Sequence, residues 1–507
     1  MAKRTAIIDI GSNSARLVIY EKTSRYGFHL ICERKSKVRI GEGAYEKGGY
    51  LQPHAVTRAY LALASFMQTV RKYQARKVLC VATSALRDAP NGAEFVRWIK
   101  KELGLAIRII DGDKEATYGA IAVRNLLPPA DTVTVDIGGG STDMALIRNG
   151  EIVATCSLNL GTVRLKELFF DKESSRDMAV AKAQGYIKGV FESIPDDFRC
   201  RLVTAIGGTA RALSKAVMRR SDYPFDKLHA FRYEVDAHLD FFDAIAASSA
   251  KGLKRFPIKK SRYDTIREGT LIWSMLLRHL GARHVITSSA GVREGVFLEQ
   301  LLRNDNLRFP KGINPSVVSL LDRFRPYINL ESKKRHKLHI ATELYRALQP
   351  IINDEMRYLP QLRQALQLSN IGKTLTIYKA HQHAFYIAMQ ELNYRFSHEE
   401  MLLIALLLRM HGKELLHQPL FKSFKPLLPK QTHLAWLSFI YTLSIYLHEA
   451  SDNARMTFHY ADKVLTVRAD QSLYLAKENI KQLEKPASFA VIIEDKKKVP
   501  KCPALGI

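Results

Sequence analysis

The sequence predicts an α/β protein that gives way to helices in its C-terminal third, and three observations carry this. Short β-branched runs alternate with helix-period segments up to about residue 302. An Asp-Ile-Gly turn between two apolar runs occurs twice, as IDIGSNSARLVI at 8–19 and VDIGGGSTDMAL at 135–146, the mark of an internal duplication. From about residue 315 to 465 the pattern is almost wholly helical. At 507 residues the chain is too long for one core, and roughly 150 residues per domain implies about three domains.

The first cycle reads as strands in RTAIIDIG, ARLVIYEK, GFHLICERK and KVLCVATSA, with a long amphipathic helix in HAVTRAYLALASFMQTVRKYQ. The second opens at DTVTVDIGGG, continues through DMALIRNGEIVATCSLN and RLVTAIGGTARAL, and closes in RHVITSSAGVREGVFLEQLL. A break follows at RNDNLRFPKGINPS. Helical segments such as HIATELYRALQPIIN and HEEMLLIALLLRMHG come next, and KVLTVRAD and SFAVIIEDKKK form a small mixed cap with a basic tail. The expected boundaries are 1–125, 126–302, a linker at 303–314, 315–465, and 466–507.

With 47% apolar and 25% charged residues, the composition is that of an ordinary globular protein. No uncharged apolar run reaches the roughly 18 to 20 residues that span a bilayer, and Asp9 interrupts any signal-peptide core, so a cytoplasmic protein without a membrane partner is expected. Five cysteines (Cys32, Cys80, Cys156, Cys200, Cys502), odd in number, widely spaced and without a CxxC pair, indicate neither a disulfide framework nor a zinc site, and reduced, mostly buried thiols are expected. Lys and Arg outnumber Asp and Glu by 77 to 50, a net charge of +27 spread along the chain, which favours association with polyanions.

In each Asp-Gly turn a strand delivers an acid, glycines let the backbone approach a ligand, and successive N–H groups with neighbouring hydroxyls form an anion cradle. Two cradles facing one another would clamp consecutive phosphates. Their donors are Ser12, Asn13 and Ser14 in the first and Gly138, Gly139, Gly140, Ser141 and Thr142 in the second. The acids Asp9, Asp136 and Asp143 would repel phosphate unless a divalent cation sat between them, so Mg²⁺ (or Mn²⁺) is expected, held by Asp136 and Asp143 with Asp9 as a further ligand. A third turn, AIGGTARAL, places Gly207, Gly208 and Thr209 at a helix N-terminus, suited to a far phosphate or a nucleotide.

The order of these turns resembles the actin, sugar-kinase and heat-shock-ATPase superfamily. Within it, IDIGSNSARLVI, ATSALRDAPNG, GDKEATYGAI, VDIGGGSTDMAL, NLGTVRLKELF, AIGGTARAL and SSAGVREGVFLE, in this order over residues 1–302, resemble the Ppx/GppA phosphatases. The resemblance implies two duplicated actin-like (ribonuclease H-like) domains, then an all-helical HD-like domain and a small C-terminal cap. It places the catalytic base on Glu115, which would activate or orient the attacking water, and makes Arg87 the candidate to grip the terminal phosphate. Glu115 alone would not stand out, because DKEATYGA also reads as an ordinary acidic first turn of a helix. Asp143 is a departure, since most members carry the longer Glu after the GGGST run.

The helical region departs further. His336, His381 and His383 are present, yet Ser369 and Asn370 stand where the His-Asp pair of an HD domain would be, and neither replaces it as a metal ligand. The domain is therefore expected to have no metallohydrolase site, which disfavours a nuclease. By resemblance the protein is an exopolyphosphatase releasing orthophosphate from inorganic polyphosphate. The alternatives are a guanosine pentaphosphate (pppGpp) 5′-phosphohydrolase, dual activity, an ATP-dependent kinase, or a non-catalytic polyphosphate or alarmone-binding regulator. K⁺ is a further candidate ion, a homodimer is expected from the long relatives, and no specific nucleic acid is.

Overall fold

The computed structural model describes residues 3–44, 47–173, 175–324, 334–410 and 419–495. They divide into two units, Met1–Pro315 with Asn393–Ser397, and Ser316–Leu392 with His398–Ile507.

The first unit holds two mixed sheets. β1 (Lys3–Ile10), β2 (Ala15–Lys22) and β3 (Phe28–Ser36) form an antiparallel meander. β4 (Lys77–Ala82) and β5 (Ile107–Ile109) add in parallel beside β1, in the order β3-β2-β1-β4-β5. β6 (Thr132–Ile137), β7 (Thr142–Arg148), β8 (Glu151–Leu158), β9 (Leu202–Ile206), β10 (Arg232–Glu234) and β11 (His284–Thr287) build the other sheet, ordered β10-β11-β9-β6-β7-β8. Read from β8, it repeats the first order with one antiparallel edge strand added.

Both faces of the first sheet are covered, which is why β1 reads as a continuous apolar run. Ala6, Ile8 and Ile10 pack with α1 (Pro53–Lys72) and with Phe95 and Ile99 of α3 (Gly92–Leu103), which follows the short α2 (Ser84–Arg87); Ile7, Val18 and Tyr20 face the opposite way. There α4 (Gly112–Leu126) lies between the sheets. It turns Tyr118, Ile121 and Ala122 to the first and Ala116, Ala120 and Val123 to Ala145, Ile147 and Ile206 of the second. Its partner is the helix Val292–Leu301, whose Gly295 permits the approach: a Cβ there would lie 2.0 Å from the Tyr118 carbonyl oxygen. This central helix carries Glu115 in its first turn.

The second unit is helical from Lys334–Ile352 through Leu359–Gln367, Ala380–Glu391 and His398–Met410 to Gln431–Ala450. It ends in a three-stranded sheet of β12 (Met456–Ala461), β13 (Val464–Ala469) and β14 (Ala490–Asp495). That sheet starts ahead of the expected boundary at 466. MTFHYA alternates inward and outward like a half-buried strand, and Asp462 and Lys463, at φ 49° and 59°, supply a primed turn without the usual glycine. The second unit begins at Ser316, but the short segment Asn393–Ser397 belongs to the first unit: the Asn314 amide donates to the Tyr394 carbonyl (3.2 Å), Arg395 N–H to the Leu126 carbonyl (2.6 Å), and Tyr394 stacks on Phe28. No helix among the described residues is long and apolar enough to cross a membrane. Cys32, Cys80, Cys156 and Cys200 are free thiols; Cys502 lies outside the described residues.

Candidate active site

The three glycine turns converge on one cleft of the first unit, with about 1130 Å³ of empty space, solvent at its mouth included. The first turn is closed by Gly11 N–H on the Ser14 carbonyl (3.2 Å), and the second by Gly138 N–H on the Ser141 carbonyl (2.9 Å). They approach so closely that a Cβ on Gly139 would lie 2.9 Å from the Cβ of Ser12. Ser12, Asn13, Ser14, Gly138, Gly139, Ser141, Gly207, Gly208 and Thr209 all line the cleft, as do Asp9, Glu115 and Asp136.

Two expected donors are elsewhere. Thr142 is the first residue of β7 and points to the face opposite Asp143, where its hydroxyl donates to the Leu160 carbonyl (2.6 Å). Gly140 is buried, with its carbonyl held by Arg164 Nε (2.9 Å). Arg87 is also outside the lining. The short helix Ser84–Arg87 ends there, and its guanidinium reaches the Ile110 carbonyl (3.2 Å) and Asp88 (3.3 Å), with Nη1 3.9 Å from Glu115 Oε2. It flanks the candidate base and does not enter the phosphate cradle.

The acids are arranged unequally. Asp136 and Asp143 are directly opposed across β6 and β7, so both carboxylates project from one face. Asp143 sits behind the lining, 3% exposed, accepting from Ser157 (2.5 Å) and Ser141 (2.9 Å). Asp136 lies over the third turn: Gly207 has φ 78°, and a Cβ there would fall 1.9 Å from Asp136 Oδ1. In the first hairpin Asp9 faces Arg16, at the position where the second hairpin has its second acid.

Burial lifts all four carboxyls. Asp9 rises to about 6, checked by Arg293 and Arg16; Asp136 is raised by burial against Arg211; Glu115 stands well above the carboxylate range through burial and then Asp143, Asp136 and Asp9. Asp143 is raised in the same way, its two serine hydroxyls opposing. Glu115 Oε2 is buried and has no hydrogen-bond partner among the described residues.

The same cleft is also lined by cations, Arg16, Lys35, Lys37, Arg211, Arg262 and Arg293. Glu33 bridges Arg16 (3.2 Å) and Arg293 (3.1 Å), Arg211 Nε is tied to the Gly207 carbonyl (2.7 Å), and burial with Arg16, Arg262 and Lys37 brings Lys35 down to about 8. Tyr20 and Gly291 N–H both donate to Glu294, fixing the strap that carries Arg293. Sequence reasoning missed these cations. Arg16, Arg211 and Arg293 stood inside quoted motifs, whereas Lys35, Lys37 and Arg262 come from segments with no motif.

Among the described residues no group of three or more His, Cys, Asp or Glu is arranged to hold a metal ion. Mg²⁺ does not need such a cage, since it keeps waters and takes one or two carboxylates plus substrate phosphates. The hard oxygens of Asp9 and Asp136, and Oε2 of Glu115, which makes no hydrogen bond among the described residues, fit that requirement. In the second unit Lys337 Nζ donates to Ser369 Oγ (2.9 Å), while His336 contacts His448 (3.2 Å) and the Ala454 carbonyl (2.7 Å).

A cleft lined together by acids, cations and glycine cradles defines a protein that handles phosphorylated anions. The profile of the Ppx/GppA phosphatase family matches residues 18–304, and the chain belongs to that family. A bifunctional 3-dehydroquinate synthase/phosphatase of Fusobacterium nucleatum is 29% identical over 313 residues, 58% of this chain, and the chain spans only 46% of that relative. A guanosine-5′-triphosphate,3′-diphosphate pyrophosphatase of Pseudoalteromonas translucida is 25% identical over 424 residues, 81% of each chain. Exopolyphosphatase 2 of Mycobacterium tuberculosis is 27% identical over 314 residues, 58% of this chain and 98% of the relative. The crystal structure of an Aquifex aeolicus family member superposes with a TM-score of 0.51 at 27% identity, covering 60% of this chain and 99% of that one.

Proposed function

We propose that the cleft hydrolyses terminal phosphoanhydride bonds, releasing orthophosphate from inorganic polyphosphate. The observation that carries this is the make-up of the cleft: Glu115, whose Oε2 makes no hydrogen bond among the described residues, shares one lining with three glycine turns and six cations. Water oxygen attacks the terminal phosphorus, the bridging P–O bond breaks, the shortened chain leaves, and Glu115 takes the water proton on Oε2. The loose transition state asks mainly for positioning and charge neutralisation. The turns at 11–14 and 138–141 orient the terminal phosphate through N–H groups, Arg87 holds Glu115, and Arg16, Arg211 and Arg293 grip the following phosphates. Mg²⁺, when bound beside Asp9 and Asp136, supplies Lewis-acid neutralisation of the phosphoryl oxygens.

Hydrolysis of guanosine pentaphosphate is the second reading, favoured by the relative of that name that aligns over 81% of this chain. The further elements of the proposal are a duplicated actin-like pair of domains, a metal-free HD-like domain, a homodimer and a cytoplasmic location. The test is orthophosphate release from long-chain polyphosphate and from guanosine pentaphosphate with Mg²⁺, alongside Glu115→Gln. Loss of a general base predicts a fall of about 10²- to 10⁴-fold. Release undiminished in the variant would remove Glu115 from the chemistry, and no release from either substrate would refute the hydrolase reading.

A further inference from the structure

The end of α4 remote from Glu115 opens into a second cavity of the first unit, and the active cleft uses none of its lining. Its walls include Val123, Leu127, Pro128, Ile147 and Ile286, and its polar edge is Arg124, Arg308 and Arg395. We propose that this cavity is a second anion site, taking a phosphate-class anion of orthophosphate or pyrophosphate size between Arg124, Arg308 and Arg395.

Charge balance is the first argument. Arg124 and Arg308 share one carboxylate, Glu151, at 3.0 and 3.1 Å, and that glutamate is 62% exposed. Arg395 is half-buried, and the charged group that acts on it is Arg308, another cation. Three guanidinium groups thus meet one exposed acid, a surplus that a small anion would neutralise.

The second argument is an unsatisfied donor. The Arg124 side chain is 7% exposed; Nη1 and Nη2 reach Glu151 and the carbonyls of Asn306 and Leu307, but the buried Nε has no hydrogen-bond partner among the described residues. A buried donor left unmade is costly, so its retention beside a cavity points to an acceptor from outside the chain.

The backbone gives the third. Arg395 holds φ 61°, a left-handed conformation unfavourable for a side chain with a Cβ, and its N–H caps the α4 end on the Leu126 carbonyl. Gly150 makes room on the other side, since a Cβ there would lie 2.5 Å from Arg308 Nη2. The neighbouring hydroxyls of Thr132 and Thr204 are spent on each other (2.9 Å), and the described residues that line the cavity include no carboxylate. The site therefore binds its anion without turning it over. Ala116 and Ile206, beside Glu115 and Gly207, pack in the same small core as Val123 and Ile147 of the cavity, so the two sites share one floor.

Calorimetric titration of the full chain with methylenediphosphonate, which the enzyme cannot hydrolyse, tests this. Two equivalents per chain are expected for the native protein. Arg395→Ala and Arg308→Ala should each weaken one of them about tenfold or more while the other keeps its affinity, as loss of a charge-assisted fork implies. Arg308 is exposed, so that variant stands even if Arg395→Ala fails to fold. Arg293→Ala, in the active cleft, should weaken only the other equivalent. One equivalent in the native protein, or two that neither Arg308→Ala nor Arg395→Ala affects, would overturn the proposal. Both outcomes are read without substrate turnover, so they are independent of whether polyphosphate or guanosine pentaphosphate is hydrolysed.

Discussion

Gly207→Ala is the substitution whose cost the structure specifies most closely, because two separate effects act at one atom. The residue holds φ 78°, and a left-handed conformation costs an L side chain about 1–2 kcal/mol. The new Cβ would also lie 1.9 Å from Asp136 Oδ1, so the carboxylate must retreat by about 1.5 Å to reach ordinary contact. Asp136 cannot do so freely, since Asp143 faces it across the hairpin, and an off-rotamer side chain adds about 0.5–1.5 kcal/mol. A total loss of about 1.5–3.5 kcal/mol follows.

Two other glycines separate the contributions. Gly104→Ala has the same sign of φ, 65°, with nothing within 4 Å, and should show only the backbone cost. Gly208→Ala meets the flexible end of Arg262 and has no positive φ, so it should destabilise least. Urea titration of all three, followed by the transition of the first unit, measures the order. In kinetics, displacing Asp136 by more than 1 Å should cost about a hundredfold in kcat for Gly207→Ala. If Gly207→Ala destabilises no more than Gly104→Ala, Asp136 does not rest over the third turn and the placement of the acids is wrong.

Two further outcomes follow from the same geometry. Arg87 stands beside Glu115 and holds its raised carboxyl down, so Arg87→Ala should lower kcat more than it raises KM and should move the acid limb of the rate profile to higher pH; an unchanged limb with a large rise in KM would instead restore Arg87 to the phosphate cradle. Removal of divalent ions should destabilise the protein more at pH 8 than at pH 5. Asp9 is raised to about 6, so its contribution is complete below its unfolded value near 3.9 and is lost as pH rises through about 6, which is where cation binding restores it. Melting temperatures in chelator and in Mg²⁺ at both pH values check this, and a Mg²⁺ increment that is equal at the two would sink it.

The paired Asp-Gly turns, the Gly-Gly-Thr turn and the two sheets were legible in the chain because local rules generate them. Alternating apolar runs bury a strand on a sheet face, and glycine answers a backbone demand that a few neighbouring residues set. Glu115 was visible only by likeness to a family, since an acid in the first turn of a helix looks the same whether it caps or catalyses. What separates the two is α4 lying between two sheets, which buries one oxygen of that acid with no hydrogen bond among the described residues. The reach of Arg87, the retreat of Asp143 behind two serines and the diversion of Thr142 were likewise decided by tertiary neighbours distant in the chain, such as Ile110, Ser157 and Leu160. So was the gathering of Arg16, Lys35, Lys37, Arg211, Arg262 and Arg293, drawn from five separate segments of a chain with 77 basic residues. Short-range stereochemistry writes turns and strands into adjacent residues, whereas an electrostatic site is a sum over groups that only long-range packing brings together.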